Sequence, residues 1–282
     1  MKKICKIIGI CALTCFSFYY TKEIIEISKS KDPIMIKIIK ESENYNVEAV
    51  NAVLEDNYII PGINGKKVDI NKSYEKMKKL GEYNANLLVF VSDYPDISIK
   101  NNYDKFIIKG NDQKPEVSLI FKVDATNNIN SILKILKSKE APATFFVEDN
   151  LIEENSSLLK DIIKDGHQIE PLGTSGNYTE SKLKIANNTI KNITDENAKY
   201  CYSENDNKET LELCSKNNMY TIRPSLISTT YAYKDIKNNL QAGNIFSLSI
   251  NDYTKDELAI IISFIRQKGY DIVSLDELLD EE

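Results

Sequence analysis

The chain of 282 residues contains a single histidine, His167, and this limits the chemistry that its side chains can perform. A zinc site built from two histidines and a carboxylate cannot be assembled from one imidazole. His167 follows Gly166 at a predicted helix exit. At such a position an imidazole is more commonly a capping or partly buried group than a catalytic base, so we interpret His167 as structural.

Two serines and one lysine are further candidates for chemistry. Ser247 and Ser249 lie in a predicted strand, but no second histidine exists to activate either of them as a nucleophile. Lys122 lies at the end of another predicted strand. It either pairs with Asp124 or another acid, or it supplies a cation that attracts an anionic group.

Two cysteines, Cys201 and Cys214, bracket a predicted strand-to-helix loop. We expect them to form a disulfide, because this part of the chain is expected to lie outside the membrane and Cys214 faces back from its helix. The bond would close a loop of about 12 intervening residues and stabilise the fold by roughly 3 kcal/mol. Two buried thiols are the alternative.

The elements that must position these residues alternate regularly from Val117 onward. Short apolar strand candidates are separated by segments whose apolar residues have helical spacing. This alternation favours a parallel sheet or a barrel, and periodicity alone does not distinguish the two. The predicted strands are residues 117–123, 143–147, 167–171, 199–203, 219–225, 244–250 and 271–275.

Three segments of this region resemble the scaffold of the polysaccharide deacetylase (NodB-homology) family. They are ATFFV at Ala143–Val147, the pair Gly166–His167, and KGYDIVSLDELL at Lys268–Leu279. The resemblance implies an α/β fold, a distorted (β/α)7 deacetylase-like barrel, for residues 116–282.

The same resemblance places other side chains where the family keeps its metal and catalytic groups. The carboxylate pair that closes the first strand falls on Lys122 and Val123, and the two metal-ligand histidines fall on Leu172 and Gly176. The family's acid histidine falls on Ser249. Metal-assisted amide hydrolysis needs a cation, a base and an acid. We therefore expect no bound metal, no other cofactor and no deacetylase activity.

Four residues near the predicted strand ends are candidates for binding a ligand: Lys122, Asp124, Tyr202 and Asn207. Asn207 is the residue retained from the family segment that begins Arg-Pro-Pro-Tyr. Asp124 lies one residue beyond the lost carboxylates, and a one-residue shift in a strand turns a side chain to the other face. We therefore do not expect Asp124 to replace them.

The first 22 residues are typical of an export segment. Three lysines precede an apolar run from Ile7 to Tyr20, and no small-residue cleavage site follows it. We favour an uncleaved membrane anchor over residues 1–22, with the remaining chain extracellular. A cleaved signal, which would release a secreted protein, and a lipoprotein at Cys15 are the alternatives.

Between the anchor and the predicted barrel, residues 23–32 form a predicted spacer and residues 33–115 a small mixed α/β accessory region. Within the accessory region, Ser73–Leu80 is helix-like and Asn86–Val91 is a strand candidate. None of its segments suggests chemistry.

The composition argues against nucleic acid as a partner, because the net charge is -6 and only two of the 36 basic residues are arginines. Together these features favour a membrane-anchored, extracytoplasmic and catalytically inactive protein. Its predicted role is glycan binding or scaffolding at the cell envelope, with a cell-wall glycan or an envelope protein as partner. The alternative is a metal-dependent polysaccharide deacetylase with a rearranged site.

Overall fold

The computed structural model of the protein describes residues 16–17, 19–21, 27–174 and 176–282. The predicted membrane anchor and the start of the spacer lie largely outside these residues. Within them, no helix combines the length and the apolar character that crossing a membrane requires.

Helices and strands are mixed along the described part of the chain. The helices are α1 (Pro33–Ser42), α2 (Ile70–Leu80), α3 (Ile129–Ser138), α4 (Asp149–Glu154), α5 (Ser156–Lys164), α6 (Glu180–Thr194), α7 (Lys208–Lys216), α8 (Ala232–Asn239), α9 (Asp252–Gln267) and α10 (Leu275–Leu279). The strands are β1 (Val53–Glu55), β2 (Tyr58–Ile60), β3 (Gly65–Val68), β4 (Phe90–Asp93), β5 (Phe106–Ile107), β6 (Glu116–Val123), β7 (Thr144–Val147), β8 (Gln168–Pro171), β9 (Tyr200–Tyr202), β10 (Tyr220–Ile222), β11 (Leu226–Ser228), β12 (Ile245–Ser249) and β13 (Asp271–Val273).

The chain divides into two compact units. The described residues up to 49 together with 64–94 form the smaller unit, and the described residues among 50–63 and 95–282 form the larger one. This division differs from the predicted boundary between residues 115 and 116. Strands β1, β2 and β5 come from the predicted accessory region, yet they share a sheet with β10 and β9. Their pairing across long sequence separations places them in the larger unit.

The smaller unit contains α1, α2 and the antiparallel pair β3 and β4. Asp32 caps α1 by accepting a hydrogen bond from the backbone N–H of Ile34 (2.9 Å), and Pro33 suits the first turn. The predicted helix Ser73–Leu80 is part of α2. The predicted strand Asn86–Val91 is only partly a strand, because residues 85–87 form a 3-10 turn before β4 begins.

The larger unit contains two sheets. One consists of β11, β12, β6, β7 and β8, neighbours in that order and all parallel, and β13 pairs with the first residues of β6. The other has the order β1, β2, β5, β10, β9. β8 and β9 are neighbours in space but belong to different sheets, so the barrel is distorted at this point.

The chain passes from the second sheet to the first at Pro224. The backbone N–H of Arg223 donates to the carbonyl of Ile107 in β5 (2.9 Å), whereas that of Ser225 donates to the carbonyl of Ile245 in β12 (3.0 Å). Pro224 has no N–H to donate to either ladder. The prediction of one continuous strand over residues 219–225 is therefore wrong, because β10 ends at Ile222 and the next strand, β11, begins only at Leu226.

Strand β6 alternates between two apolar environments. Val117, Leu119, Phe121 and Val123 belong to the core cluster that also contains the apolar residues of α3 and α9. Ile120 belongs to a second cluster, which lines the interior between the two sheets. Because strand side chains alternate with a period of two, Lys122 lies on the interior face with Ile120, and Val123 lies on the helix face.

Candidate functional site

A cavity of about 660 Å³ lies at the carboxyl ends of β6, β7, β8 and β9. In parallel α/β sheets and barrels this end carries the ligand site, since the loops that follow the strands converge there. All four predicted binding residues contribute to it. The lining residues are Lys122, Asp124, Ala125, Glu148, Leu172, Gly176, Asn177, Tyr202, Ser203, Glu204, Asn205 and Asn207.

Lys122 forms an ion pair with Glu204, the second residue after β9. Its ammonium nitrogen also lies 5.7 Å from the centroid of the Tyr202 ring. The lysine side chain is 22% exposed and that of Glu204 is 51% exposed, so solvent screens the pair and its contribution to stability is small. Of the two interpretations of Lys122, the pairing with an acid is the one observed.

The positions that correspond to the family's metal ligands provide no ligand atoms. Val123 is fully buried in the core on the helix face, and Leu172 is 4% exposed in the barrel interior. Gly176 has no side chain. Within the described ranges, no group of three or more histidine, cysteine, aspartate or glutamate side chains could hold a metal ion. The residues present therefore do not fit the metal that the family resemblance implies.

Ser249, at the position of the acid histidine, is the ladder partner of Lys122 across β12 and β6. A serine hydroxyl has no proton that it can donate readily near neutral pH, so it does not replace an imidazolium as a general acid. Ser249 therefore does not supply the general-acid function of the histidine that the family has at this position.

Asp124 lines the cavity, and this corrects the argument made from strand alternation. That argument assumed that β6 continues through residue 124, but the strand ends at Val123. Beyond the last strand residue the period of two no longer fixes the direction of a side chain. Asp124 is exposed, and it has no hydrogen bond or ion pair with any other described residue.

Tyr202 contributes to the floor of the cavity. It is 2% exposed, its hydroxyl lies 3.0 Å from Oγ of Ser247, and its ring centroid is 5.4 Å from that of Phe146. Burial raises the pKa of the Tyr202 hydroxyl, which is therefore protonated at neutral pH. A ring so deeply packed cannot serve as a broad stacking platform for a sugar.

Asn207 has a structural role in addition to its place in the lining. Its side-chain oxygen accepts hydrogen bonds from the backbone N–H groups of Glu209 (3.0 Å) and Thr210 (3.2 Å). It is thus the N-cap of α7 and fixes the start of that helix at the wall of the cavity.

His167 lies at the amino end of β8, whereas the cavity lies at the carboxyl end. It is 5% exposed, and its ring centroid is 5.4 Å from that of Phe145. Burial is the main cause that lowers the pKa of its imidazole, so the ring is uncharged near neutral pH. Its position supports a structural role.

Sequence reasoning missed several lining residues, among them Glu148, Glu204 and Asn205. Glu148 directly follows β7, and the other two follow β9. A signal was available, because polar residues immediately after the strands of a parallel barrel face one end of it. Among these three residues, only the role of Glu204 as the ion-pair partner of Lys122 could not be inferred from the sequence.

The disulfide between Cys201 and Cys214 is present in the structure and ties β9 to α7. Both sulfur-bearing residues are completely buried. The loop that the bond closes includes Ser203, Glu204 and Asn205, so the disulfide holds one wall of the cavity in place.

The loop that carries Gly176 depends on Gly173. Gly173 has a φ of +73°, and a Cβ atom there would lie 2.6 Å from the carbonyl oxygen of Asn177. We expect Gly173→Ala to cost about 1–3 kcal/mol, measured as the shift in the urea unfolding midpoint. Gly176→Ala is the matched control, because its φ of +77° is similar but its Cβ would meet open space. Equal losses in the two variants would contradict the proposed clash.

The family model of polysaccharide deacetylases matches residues 109–225. Among curated proteins, the uncharacterized protein YlxY of Bacillus subtilis (strain 168) is 28% identical over 285 residues, covering 92% of this chain and 88% of its own. An uncharacterized 30.6 kDa protein of Geobacillus stearothermophilus is 27% identical over 205 residues, covering 64% of this chain and 77% of its own.

Two solved structures illustrate the similarity of fold. Wild-type BA3943, a CE4 family pseudoenzyme from Bacillus anthracis, superposes with a TM-score of 0.65 at 24% identity and covers 89% of this chain and 96% of its own. A family 4 carbohydrate esterase from Bacillus anthracis has a TM-score of 0.53 at 27% identity and covers 62% of this chain and 87% of its own. The expected α/β fold, a distorted barrel of the deacetylase type, is confirmed, and within it residues 109–225 match the family model of polysaccharide deacetylases.

Proposed function

We propose that this domain is a non-catalytic member of its family that binds an envelope glycan in the cavity at the strand ends. The observation that carries the proposal is the combination of a large polar cavity with metal positions that have lost their ligand atoms. Lys122, Val123, Leu172 and Gly176 stand where the family resemblance expects ligands and a base.

The chemistry of the family supports this assignment. Metal-assisted amide hydrolysis requires a cation that polarises the carbonyl and activates water. At the mouth of this barrel the only cationic side chain among the described lining residues is Lys122, which is paired with Glu204. An ammonium group cannot lower the pKa of a bound water as a divalent metal does. The cavity therefore retains room and polar groups for a sugar but lacks the means to hydrolyse it.

A precedent exists among the similar structures. BA3943 is described as a CE4 family pseudoenzyme, and a mutant of BA3943 is described as having restored enzymatic activity. For that protein, the deacetylase architecture persists without activity. The same separation of fold from activity is what we propose for this chain.

We further propose that residues 1–22 anchor the protein in the cell membrane and place the barrel on the extracellular side. The support comes from the sequence alone, namely the lysines that precede the apolar run from Ile7 to Tyr20. This location would bring the cavity to the cell wall.

Elemental analysis of the purified full chain, combined with release of acetate from N-acetylated chitooligosaccharides and peptidoglycan, tests the absence of catalysis. We expect no stoichiometric metal and no acetate, with an active family 4 carbohydrate esterase as the positive control. Stoichiometric metal together with acetate release would instead establish a deacetylase with a rearranged site.

Binding is tested separately by sedimentation of the full chain with purified peptidoglycan. We expect co-sedimentation that soluble cell-wall fragments compete away. Retention by envelope proteins without any retention by the glycan would replace the glycan-binding proposal with a scaffolding role.

A further inference from the structure

If the cavity binds a glycan, as proposed above, the charges on its lining determine which class of glycan binds there. The lining includes three carboxylates, on Asp124, Glu148 and Glu204, and one ammonium, on Lys122. The carboxylates of the lining outnumber its ammonium group, which is already paired with Glu204, so the described lining carries an excess of negative charge.

Asp124 is the carboxylate most available to a ligand. It is exposed in the cavity lining, and no described residue donates a hydrogen bond to it or forms an ion pair with it. Its position directly after β6 places it at the mouth of the barrel beside Lys122. A cleft with walls of one charge sign raises the local concentration of oppositely charged ligands.

The hydrogen-bonding capacity of the lining also favours a positively charged ligand. Ionised carboxylates only accept hydrogen bonds, whereas a protonated primary amine presents three donors and no acceptor. An N-acetyl group would instead bring a carbonyl oxygen toward the carboxylates, with Lys122 already occupied by Glu204. Anionic sugars would be repelled by the same excess of negative charge.

We propose that the cavity takes glycans whose amino sugars carry a free primary amine, in preference to N-acetylated or anionic glycans. The ligand class is thus the de-N-acetylated amino sugar, with its ammonium group bound by Asp124. The protein would then recognise a glycan from which acetyl groups have already been removed by another hydrolase.

Isothermal titration of the purified full chain with two probes tests this selectivity. The probes are the tetramer of glucosamine and the tetramer of N-acetylglucosamine, compared at low salt and at a slightly acidic pH that keeps the amine protonated. We expect the glucosamine tetramer to bind at least about tenfold more tightly, the difference that one charge-assisted hydrogen bond supplies. Added salt should weaken this binding.

Three variants test the roles of the named residues. Asp124→Asn should weaken binding of the glucosamine tetramer about tenfold. Lys122→Met should strengthen it, because Glu204 is then released from its ion pair and adds to the negative charge. Asp161→Asn is the matched control, with the same change of charge on the exposed surface of α5, and should have no effect.

The outcomes separate this inference from the proposed function. Equal or tighter binding of the N-acetylglucosamine tetramer, or an Asp124→Asn variant that binds like the unchanged protein, would overturn the amine selectivity and leave glycan binding standing. Binding of neither tetramer would overturn both. Binding of a lysine-rich peptide as tightly as the glucosamine tetramer would show that the cavity selects amines without selecting sugars, and would overturn the assignment to a glycan.

Discussion

Replacing both Cys201 and Cys214 by alanine is expected to lower the free energy of unfolding by about 3 kcal/mol. The disulfide joins residues 13 positions apart, and its loss increases the conformational entropy of the unfolded chain. Both positions are buried in the main core, so alanine also leaves a small void. The measurement is the shift in the urea unfolding midpoint, under oxidising conditions, relative to the unchanged protein.

Reductant provides the control for this prediction. The midpoint of the unchanged protein should fall when the unfolded chain is exposed to dithiothreitol, whereas that of the double variant should not change. Alkylation should find Cys201 and Cys214 protected in the folded chain. Free thiols at these two positions in the untreated protein would contradict the prediction and favour two buried thiols.

Glu170→Ala is expected to destabilise the protein by roughly 3 kcal/mol or more, because it leaves two backbone donors without an acceptor. One carboxyl oxygen of Glu170 accepts hydrogen bonds from the backbone N–H groups of Lys199 and Tyr200, both at 2.9 Å. The other accepts from the side-chain amide of Gln168 (2.8 Å). These bonds connect β8 to the start of β9, the point at which the two sheets meet.

Glu170→Gln is the matched control, because its amide retains an oxygen that can accept from both backbone N–H groups. It should lose clearly less stability than Glu170→Ala in urea unfolding. Equal losses would show that the connection between β8 and β9 does not depend on this acceptor.

The same residue predicts a dependence of stability on pH. Burial raises the pKa of the Glu170 carboxyl to about 8 from an ordinary value of 4.5. Between these values the folded state holds a proton that the unfolded state has released, so stability falls as pH rises. The contribution of Glu170 is fully present below about pH 4.5 and is lost as pH rises through about 8. Urea midpoints measured across this range should decline in the unchanged protein, and the decline should be smaller in Glu170→Gln.

Local sequence was sufficient for most elements of the barrel, with the strand predicted over residues 219–225 as an exception. Strands such as β6, β7 and β12 are short apolar runs, and their separation by helical segments is characteristic of a parallel α/β architecture. The pairings of β1, β2 and β5 with the barrel sheet could not be predicted. Each is two or three residues long, and its partner is set by contacts far away in the chain.

The sequence by itself determined that Val123, Leu172 and Gly176 provide no side-chain ligand atoms at the positions where the family resemblance expects them. The four candidate binding residues, chosen because they lie at or near predicted strand ends, all line the cavity. Only the tertiary structure decided that Lys122 is neutralised by Glu204, 82 residues away, and that Asp124 lies at the mouth of the barrel. The physical reason is that types and spacing of residues are local properties, whereas the net charge of a cavity depends on which loops converge around it.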